Sequence, residues 1–301
     1  MASIPNHNIV SSHNMQTISN IADIRNIVKA ERQKGKTIGL VPTMGNLHAG
    51  HISLVEKMQQ HADIVITSIF VNPMQFSPNE DFDSYPKTLK TDQEKLAAAG
   101  NHYIFTPSAA EIYPQASASK TLVSVAALDS ILCGKSRPTH LTGVATVVTK
   151  LFNIIAPDHA IFGLKDYQQL MVIQQMTTDL CMPINIIGAP IVRDEAGLAL
   201  SSRNSYLTAE QKQIAPRLNQ ILNYVKQAIL AGEENFRELE KQTMQIIEES
   251  GFKPDYFEIR TQNTLKTATI ADHKLAIFVA ASLGKTRLID NVRFATDEKN
   301  N

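Results

Sequence analysis

Between its first β-branched run and the helical pattern that follows, the chain reads Pro42-Thr43-Met44-Gly45-Asn46-Leu47-His48-Ala49-Gly50-His51. His48 and His51 are three apart, so on a helical turn they share a face. Each imidazole can give an N–H or exchange a proton near neutral pH. Gly45 and Gly50 let backbone approach a ligand with no Cβ in the way. The first amides of the helix and the positive end of its dipole lie beside them. Such a group suits the oxygens of a triphosphate, whose charge moves as pyrophosphate departs. A surface turn that merely holds two histidines is the alternative, and spacing alone leaves the two even.

Three further polar loops follow strand-like runs. Phe70-Val71-Asn72-Pro73-Met74-Gln75-Phe76 carries amides in Asn72 and Gln75 that can fix a hydroxyl or a carboxylate. Gly163-Leu164-Lys165-Asp166-Tyr167-Gln168-Gln169 puts Lys165 at the carboxyl end of a strand and Gln169 about one turn into the next helix. Leu200-Ser201-Ser202-Arg203-Asn204 offers two hydroxyls and a guanidinium able to hold phosphate bidentately. Alone, each has a plain alternative: a polar loop, a solvated lysine, a capped helix start. Together they converge on the carboxyl edge of a sheet, where open α/β folds bind ligands. Gly35-Lys36-Thr37 and Gly284-Lys285-Thr286 imitate the end of a P-loop, but its first glycine would fall at Ala30 and Val279, so both are expected to be turns.

Strands are expected at residues 38–42, 63–71, 102–105, 160–162 and 184–187, with helices at 50–61, 91–99, 143–155 and 167–180 between them. Gly100 closes the second of those helices. This alternation predicts a doubly wound parallel sheet over residues 17–189. Beyond a boundary near residues 188–190, helices at 209–230 and 235–249 precede short strands at 255–260, 275–280 and 286–291, an α+β domain over 190–301.

Composition fits this frame. The 301 residues are 43% apolar and 19% charged, within the globular range and about two domains' worth of chain. Lys+Arg and Asp+Glu both number 29, which removes a bulk electrostatic case for nucleic acid. No apolar run approaches the ~20 residues of a bilayer span. Cys133 and Cys181 have no companion pair, against a thiolate metal cluster or a disulfide framework and in favour of a reducing cytoplasm. Residues 1–16 are polar, without secretory or transit features, and are expected to form a loose arm.

The motifs P-T-M-G-x-L-H-x-G-H, F-V-N-P-x-Q-F, N-E-D-F-x-x-Y-P, R-P-x-H-x-x-G-V-x-T-V-V-x-K-L-F-N, K-D-Y-Q-Q-L and L-S-S-R-N-x-Y-L occur in order between about Thr37 and Leu207. As a set they resemble the pantoate–β-alanine ligase (pantothenate synthetase) family. The first motif alone is weaker, since such histidine-pair loops mark a wider nucleotidyltransferase-like superfamily. The resemblance implies a Rossmann-like domain of nucleotidyltransferase type with a smaller C-terminal lid, a homodimer, and Mg²⁺ accompanying ATP. It implies condensation of pantoate with β-alanine through a pantoyl adenylate, releasing pyrophosphate and AMP.

Carried onto this chain, the resemblance implies an ATP site at Met44, Gly45, Asn46, Leu47, His48, Ala49, Gly50 and His51, with His51 as proton donor. Gly163, Leu164, Lys165, Asp166, Val192, Leu200, Ser201, Ser202 and Arg203 would complete it. Gln75 and Gln169 would hold pantoate, Gln75 also lying near β-alanine. His48, His51, Lys165, Arg203 and Mg²⁺ would offset the repulsion between pantoate's carboxylate and the nucleotide. Met44, Phe70, Val144 and Val148 would fit pantoate's gem-dimethyl group. Asp92 is the candidate for steadying Mg²⁺, against the alternative of a solvated helix residue. No side chain stands out as base for the β-alanine amine, whose pKa is ~10 if it resembles lysine's.

The sequence departs from the family at Leu164, where an acidic residue is usual, and at Thr139 and Leu141, where small and aromatic residues are commoner. Leu164 is expected to face the sheet rather than the nucleotide. It is also the one support for a rival reading, a nucleotide-binding protein that lost its chemistry. An adenylate-forming enzyme for another acid is the second rival.

Overall fold

A computed structural model of the chain describes residues 15–77, 80–114 and 121–296. The N-terminal arm expected over 1–16 lies outside the described residues as far as position 14, and Gln16 already belongs to a strand. In chain order the elements of the larger domain are β1 (Gln16–Ile18), α1 (Ile21–Gln33), β2 (Ile38–Thr43), α2 (Ala49–Met58), β3 (Ile64–Ile69), α3 (Leu89–Ala98), β4 (Tyr103–Phe105), the short α4 (Ala109–Ile112), α5 (Ala126–Asp129) and α6 (Leu132–Ser136), then α7 (His140–Ile155), β5 (His159–Gly163), α8 (Tyr167–Asp179) and β6 (Asn185–Ala189). The remainder is α9 (Ala209–Ile214), α10 (Arg217–Leu230), α11 (Phe236–Glu249), β7 (Lys253–Thr261), β8 (Lys274–Leu283) and β9 (Thr286–Ala295). Single 3-10 turns at Pro73–Gln75, Leu164–Asp166 and Ser202–Tyr206 lie in the loops after β3, β5 and β6.

Six parallel strands run in the order β1-β4-β3-β2-β5-β6. Their near-continuous apolar runs are the mark of a sheet covered on both faces. On one side α1, α7 and α8 bury Ile24, Val28, Val144, Leu151, Ile173 and Met176. On the other α2 and α3 bury Leu54, Val55, Met58 and Leu96. The second sheet, β7-β8-β9, is antiparallel and packs against α10 and α11 over its own core. The expected doubly wound sheet with a smaller α+β part is therefore present.

Three details differ from the sequence reading. The helix expected over 209–230 is two helices, because Pro216 has no N–H to give and its ring would clash with a carbonyl one turn back. The helix expected from Gly143 starts at His140, after Thr139 takes a left-handed φ of 72°. Helix α1 and the short helices α4 to α6 were not anticipated; three of the four span only four or five residues, too few for a periodicity. Among the described residues no helix is long and apolar enough to cross a membrane.

Candidate active site

Strand order reverses at β2, which has β3 on one side and β5 on the other. Ligands of open α/β sheets bind at such a switch point, outside the carboxyl ends of the strands. Here β2 ends in the histidine loop and β5 in the turn that carries Lys165, and a cleft of about 1040 Å³ opens between them.

His48 is the N-cap of α2 and His51 its third residue. His48 Nδ1 accepts from the Gly50 N–H at 3.1 Å, and His51 Nδ1 accepts from the His48 N–H at 3.4 Å. A backbone N–H can only donate, so both Nδ1 atoms are bare and each neutral ring carries its hydrogen on Nε2. The ring centroids are 4.1 Å apart. Burial, then His48, Lys165 and Lys95, push His51 down to about 3; burial, then Lys165 and Lys95, push His48 down to about 4. Both rings are therefore neutral at physiological pH. They present N–H donors and no positive charge at the cleft. Gly50 permits the arrangement, because a Cβ there would lie 2.9 Å from the His48 ring.

Helix α3 grips this loop from beneath. Asp92, 1% exposed, accepts from the Asn46 N–H at 2.9 Å, the Leu47 N–H at 2.8 Å and the Thr88 hydroxyl at 3.1 Å. Lys95 Nζ donates to the Leu47 carbonyl at 2.6 Å. Asp92 is thus not a solvated helix residue: its two oxygens take two backbone N–H groups and a hydroxyl, and it fixes the loop. Asn46 joins the loop to the third segment, giving its amide N–H to the Ser202 carbonyl at 3.3 Å and accepting the Ser202 hydroxyl on its carbonyl at 3.0 Å.

After β3, Asn72 is 1% exposed and fully engaged. It donates to Gly143 O at 3.1 Å and Gln75 Oε1 at 3.2 Å, and accepts from the Tyr113 hydroxyl at 2.8 Å. Its side-chain amide thereby holds Gln75 in place at the edge of the cleft. Gln75 Nε2 in turn reaches Met44 Sδ at 2.8 Å. Helix α7 presses on this turn so closely that a Cβ on Gly143 would lie 2.3 Å from the Met74 carbonyl oxygen. His140, pushed down to about 4 by burial and then by Arg137, meets the Gln75 carbonyl through Nδ1 at 2.8 Å. Arg137 forks onto Glu80 with two bonds of 2.5 Å.

After β5, Lys165 Nζ lies 3.7 Å from Asp166 Oδ1. Leu164 packs onto Gly188 of β6 and into the main core. Gln169 faces the cleft from α8. Its neighbour Gln168 is buried, accepting from the Cys133 N–H at 3.0 Å and donating to the Leu128 and Ile131 carbonyls at 2.8 Å. No local signal distinguishes that structural glutamine from the one beside it.

The structure brings Met44, His48, Gly50, His51, Gln75, Gly163, Lys165, Asp166, Gln169, Val192, Leu200, Ser201, Ser202 and Arg203 to the wall of this cleft, with Phe70, Val144 and Val148. Gly45, Asn46, Leu47, Ala49 and Leu164 are outside its lining, and Leu47 is a core residue 2% exposed. Asp81, Tyr85, Arg137 and His140, none singled out for the site, also line it. No group of three or more His, Cys, Asp or Glu side chains among the described residues is placed to hold a metal ion.

Comparison with known proteins places nearly the whole chain. A family model described as pantoate-beta-alanine ligase matches residues 16–293. A pantothenate synthetase of Marinobacter nauticus is 52% identical over 278 residues, 92% of this chain and 99% of that protein. The crystal structure of pantothenate synthetase from Thermus thermophilus superimposes with a TM-score of 0.85 at 38% identity, covering 92% of this chain and 99% of the other. A pantoate-beta-alanine ligase of Francisella tularensis, crystallised with beta-gamma ATP and beta-alanine, gives a TM-score of 0.75 at 37% identity over 94% of this chain and 98% of the other. The chain belongs to the pantoate–β-alanine ligase family and is, by that membership, a ligase.

Proposed function

We propose that the chain condenses pantoate with β-alanine, driven by ATP, through a pantoyl-adenylate intermediate. A carboxylate is a poor electrophile, so it must first be activated. Pantoate's carboxylate oxygen attacks the α-phosphorus of ATP in line, the bond to the bridging oxygen breaks, and pyrophosphate leaves with its electrons. The β-alanine amine then attacks the acyl carbon and AMP departs. The amine proton leaves with solvent or with the adenylate phosphate, since no side chain of the cleft is an evident base.

The observation that carries this reading is the pair of imidazoles whose Nδ1 atoms are occupied by backbone, so that Nε2–H donors serve the cleft. Such donors strengthen as charge grows on the departing pyrophosphate. Lys165 and Arg203 supply the positive charge that the neutral histidines do not. Gln75 and Gln169 present pantoate, its methyl groups against Met44, Phe70, Val144 and Val148. Mg²⁺ would enter on the oxygens of ATP, the chain offering no cage of its own among the described residues, and would neutralise phosphate charge. In this reading residues 17–189 bind nucleotide and pantoate, and 190–301 shield the anhydride from water. Family resemblance adds a cytoplasmic homodimer, which a solution mass measurement checks for its oligomeric part.

The experiment is detection of pyrophosphate and AMP with each substrate omitted in turn. ATP and pantoate alone should release pyrophosphate in a single burst, with free AMP appearing steadily once β-alanine is added. Absence of pantoate-dependent pyrophosphate would overturn the adenylate.

A further inference from the structure

The small sheet enters the site through one strand. β9 packs against both the Leu164–Asp166 turn and the Ser202–Tyr206 turn. Two adjacent residues of that strand, pointing to opposite faces, make the polar connections. Asp290 receives Arg193 NH1 and NH2 at 2.6 and 2.8 Å, and Arg193 pairs with Ala199 across the loop that ends in Leu200. Asn291, 2% exposed, donates from Nδ2 to the carbonyl oxygens of Leu164 and Lys165 at 2.9 and 3.0 Å. Those carbonyls belong to the turn from which the Lys165 side chain departs.

The remaining atom of the amide is informative. Asn291 Oδ1 is buried and has no hydrogen-bond partner. An orphan acceptor is unfavourable, so the asparagine is kept here against a cost. What asparagine alone brings here is a forked donation to two successive carbonyls. Resting on the reading of Lys165 as a cation for the polyphosphate, we propose that Asn291 is a positioning residue for Lys165, so that the small domain builds part of the phosphate site besides covering it. Gripping both carbonyls fixes the two peptide planes that flank Lys165 and thereby the direction in which its side chain leaves the backbone. A small misplacement of a charge at a reacting centre is enough to cost a large factor in rate.

The test is single-turnover pyrophosphate release from ATP and pantoate, run as a double-mutant cycle. Asn291→Ala should lower the rate about tenfold in the otherwise unchanged chain. In the Lys165→Ala background the same substitution should lower it less than about twofold, because the group it positions is gone. Asn291→Asp, equal in size but with an oxygen facing the carbonyls, should behave likewise and serves if the alanine variant does not fold. A purely structural asparagine would cost the same factor in both backgrounds, and that result, or no loss in either, overturns the proposal. If Lys165→Ala alone leaves the rate unchanged, the reading of Lys165 fails and takes the proposal with it. A retained Lys165 effect with an independent Asn291 loss sinks the proposal alone.

Discussion

The guanidinium of Arg203 and the carboxylate of Asp81 face each other in a two-point ion pair, Nε to Oδ2 at 3.0 Å and NH2 to Oδ1 at 2.8 Å. Burial works against the charged carboxyl, but the guanidinium holds Asp81 below its ordinary range. The cation read as phosphate-binding is therefore already neutralised in the free chain. On the proposed function an incoming nucleotide would compete with Asp81 for it. Asp81→Asn keeps the shape and removes the competitor, so KM for ATP should fall about fivefold, the worth of a partly exposed pair near 1 kcal/mol. Arg203→Ala should raise it. A higher KM in Asp81→Asn would mean that Asp81 presents Arg203 to the substrate instead of withholding it.

His51 serves twice, as an N–H donor to the cleft and as an acceptor for the His48 amide. His51→Ala should cut turnover by roughly a hundredfold or more, as loss of a transition-state donor does. The lost cap should cost only about 1 kcal/mol of stability, so the protein stays folded. Steady-state turnover close to the parent value would remove His51 from the mechanism.

The buried imidazoles also set a pH dependence of stability. His48, His51 and His140 are pushed down to about 4, about 3 and about 4 from an ordinary value of 6.5, by burial first and then by Lys165 at His48, by the adjacent His48 ring at His51 and by Arg137 at His140. Between 6.5 and those lowered values the unfolded chain takes up protons that the folded chain refuses. Stability is therefore whole above 6.5 and falls as the pH falls through that window. Discounted for the solvent that reaches the cleft, the loss should be about 1 kcal/mol per ring. Glu80 and Asp81, also held low by their arginines, enter only below their ordinary values of 4.5 and 3.8. Urea unfolding near neutral pH and again around pH 5, in the parent and in a variant with His140→Phe, checks this, the variant losing less on acidification. Equal stability at the two pH values would show that these rings titrate normally.

The sheet was legible because most of its strands are β-branched runs with a helix pattern behind them, whereas the strand order and the switch point at β2 needed coordinates. His48, His51, Gln75, Lys165 and Arg203 could be picked out because their loops follow successive strand-like runs and together match one family's motifs, although none of them is unusual alone. What holds them in place was not legible. Asp92 acts on residues 46 positions away, Asn291 on residues more than a hundred away, and Gln168 differs from Gln169 only in facing inward. Such contacts are made by the fold, and no local pattern announces them. The tautomers of the histidine pair needed coordinates too, since spacing gives a shared face but not which nitrogen meets the backbone.

Asp92 separates two accounts cleanly. As an anchor it satisfies two backbone N–H groups and a hydroxyl in a buried place, so Asp92→Asn should lower stability by about 1–3 kcal/mol and slow turnover by loosening the histidine loop. The Mg²⁺ concentration giving half-maximal activity should not move. A shift of tenfold or so toward higher Mg²⁺ would restore Asp92 as a metal ligand.

Thr139 carries a cost that this chain need not carry. It holds φ 72° as the residue before α7, a left-handed conformation that a β-branched side chain disfavours by about 1–2 kcal/mol. The resemblance to the family puts a small residue here more commonly, and none of the contacts described in the cleft uses the threonine side chain. The bend itself is needed, since it delivers His140 to the Gln75 carbonyl. Thr139→Gly relieves the crowding but adds backbone freedom to the unfolded chain, which offsets part of the gain. A net stabilisation of about 1 kcal/mol, or about 2 °C in melting temperature, is expected with KM for pantoate unchanged. A lower melting temperature would show that the threonine hydroxyl or methyl contributes more than the left-handed backbone costs.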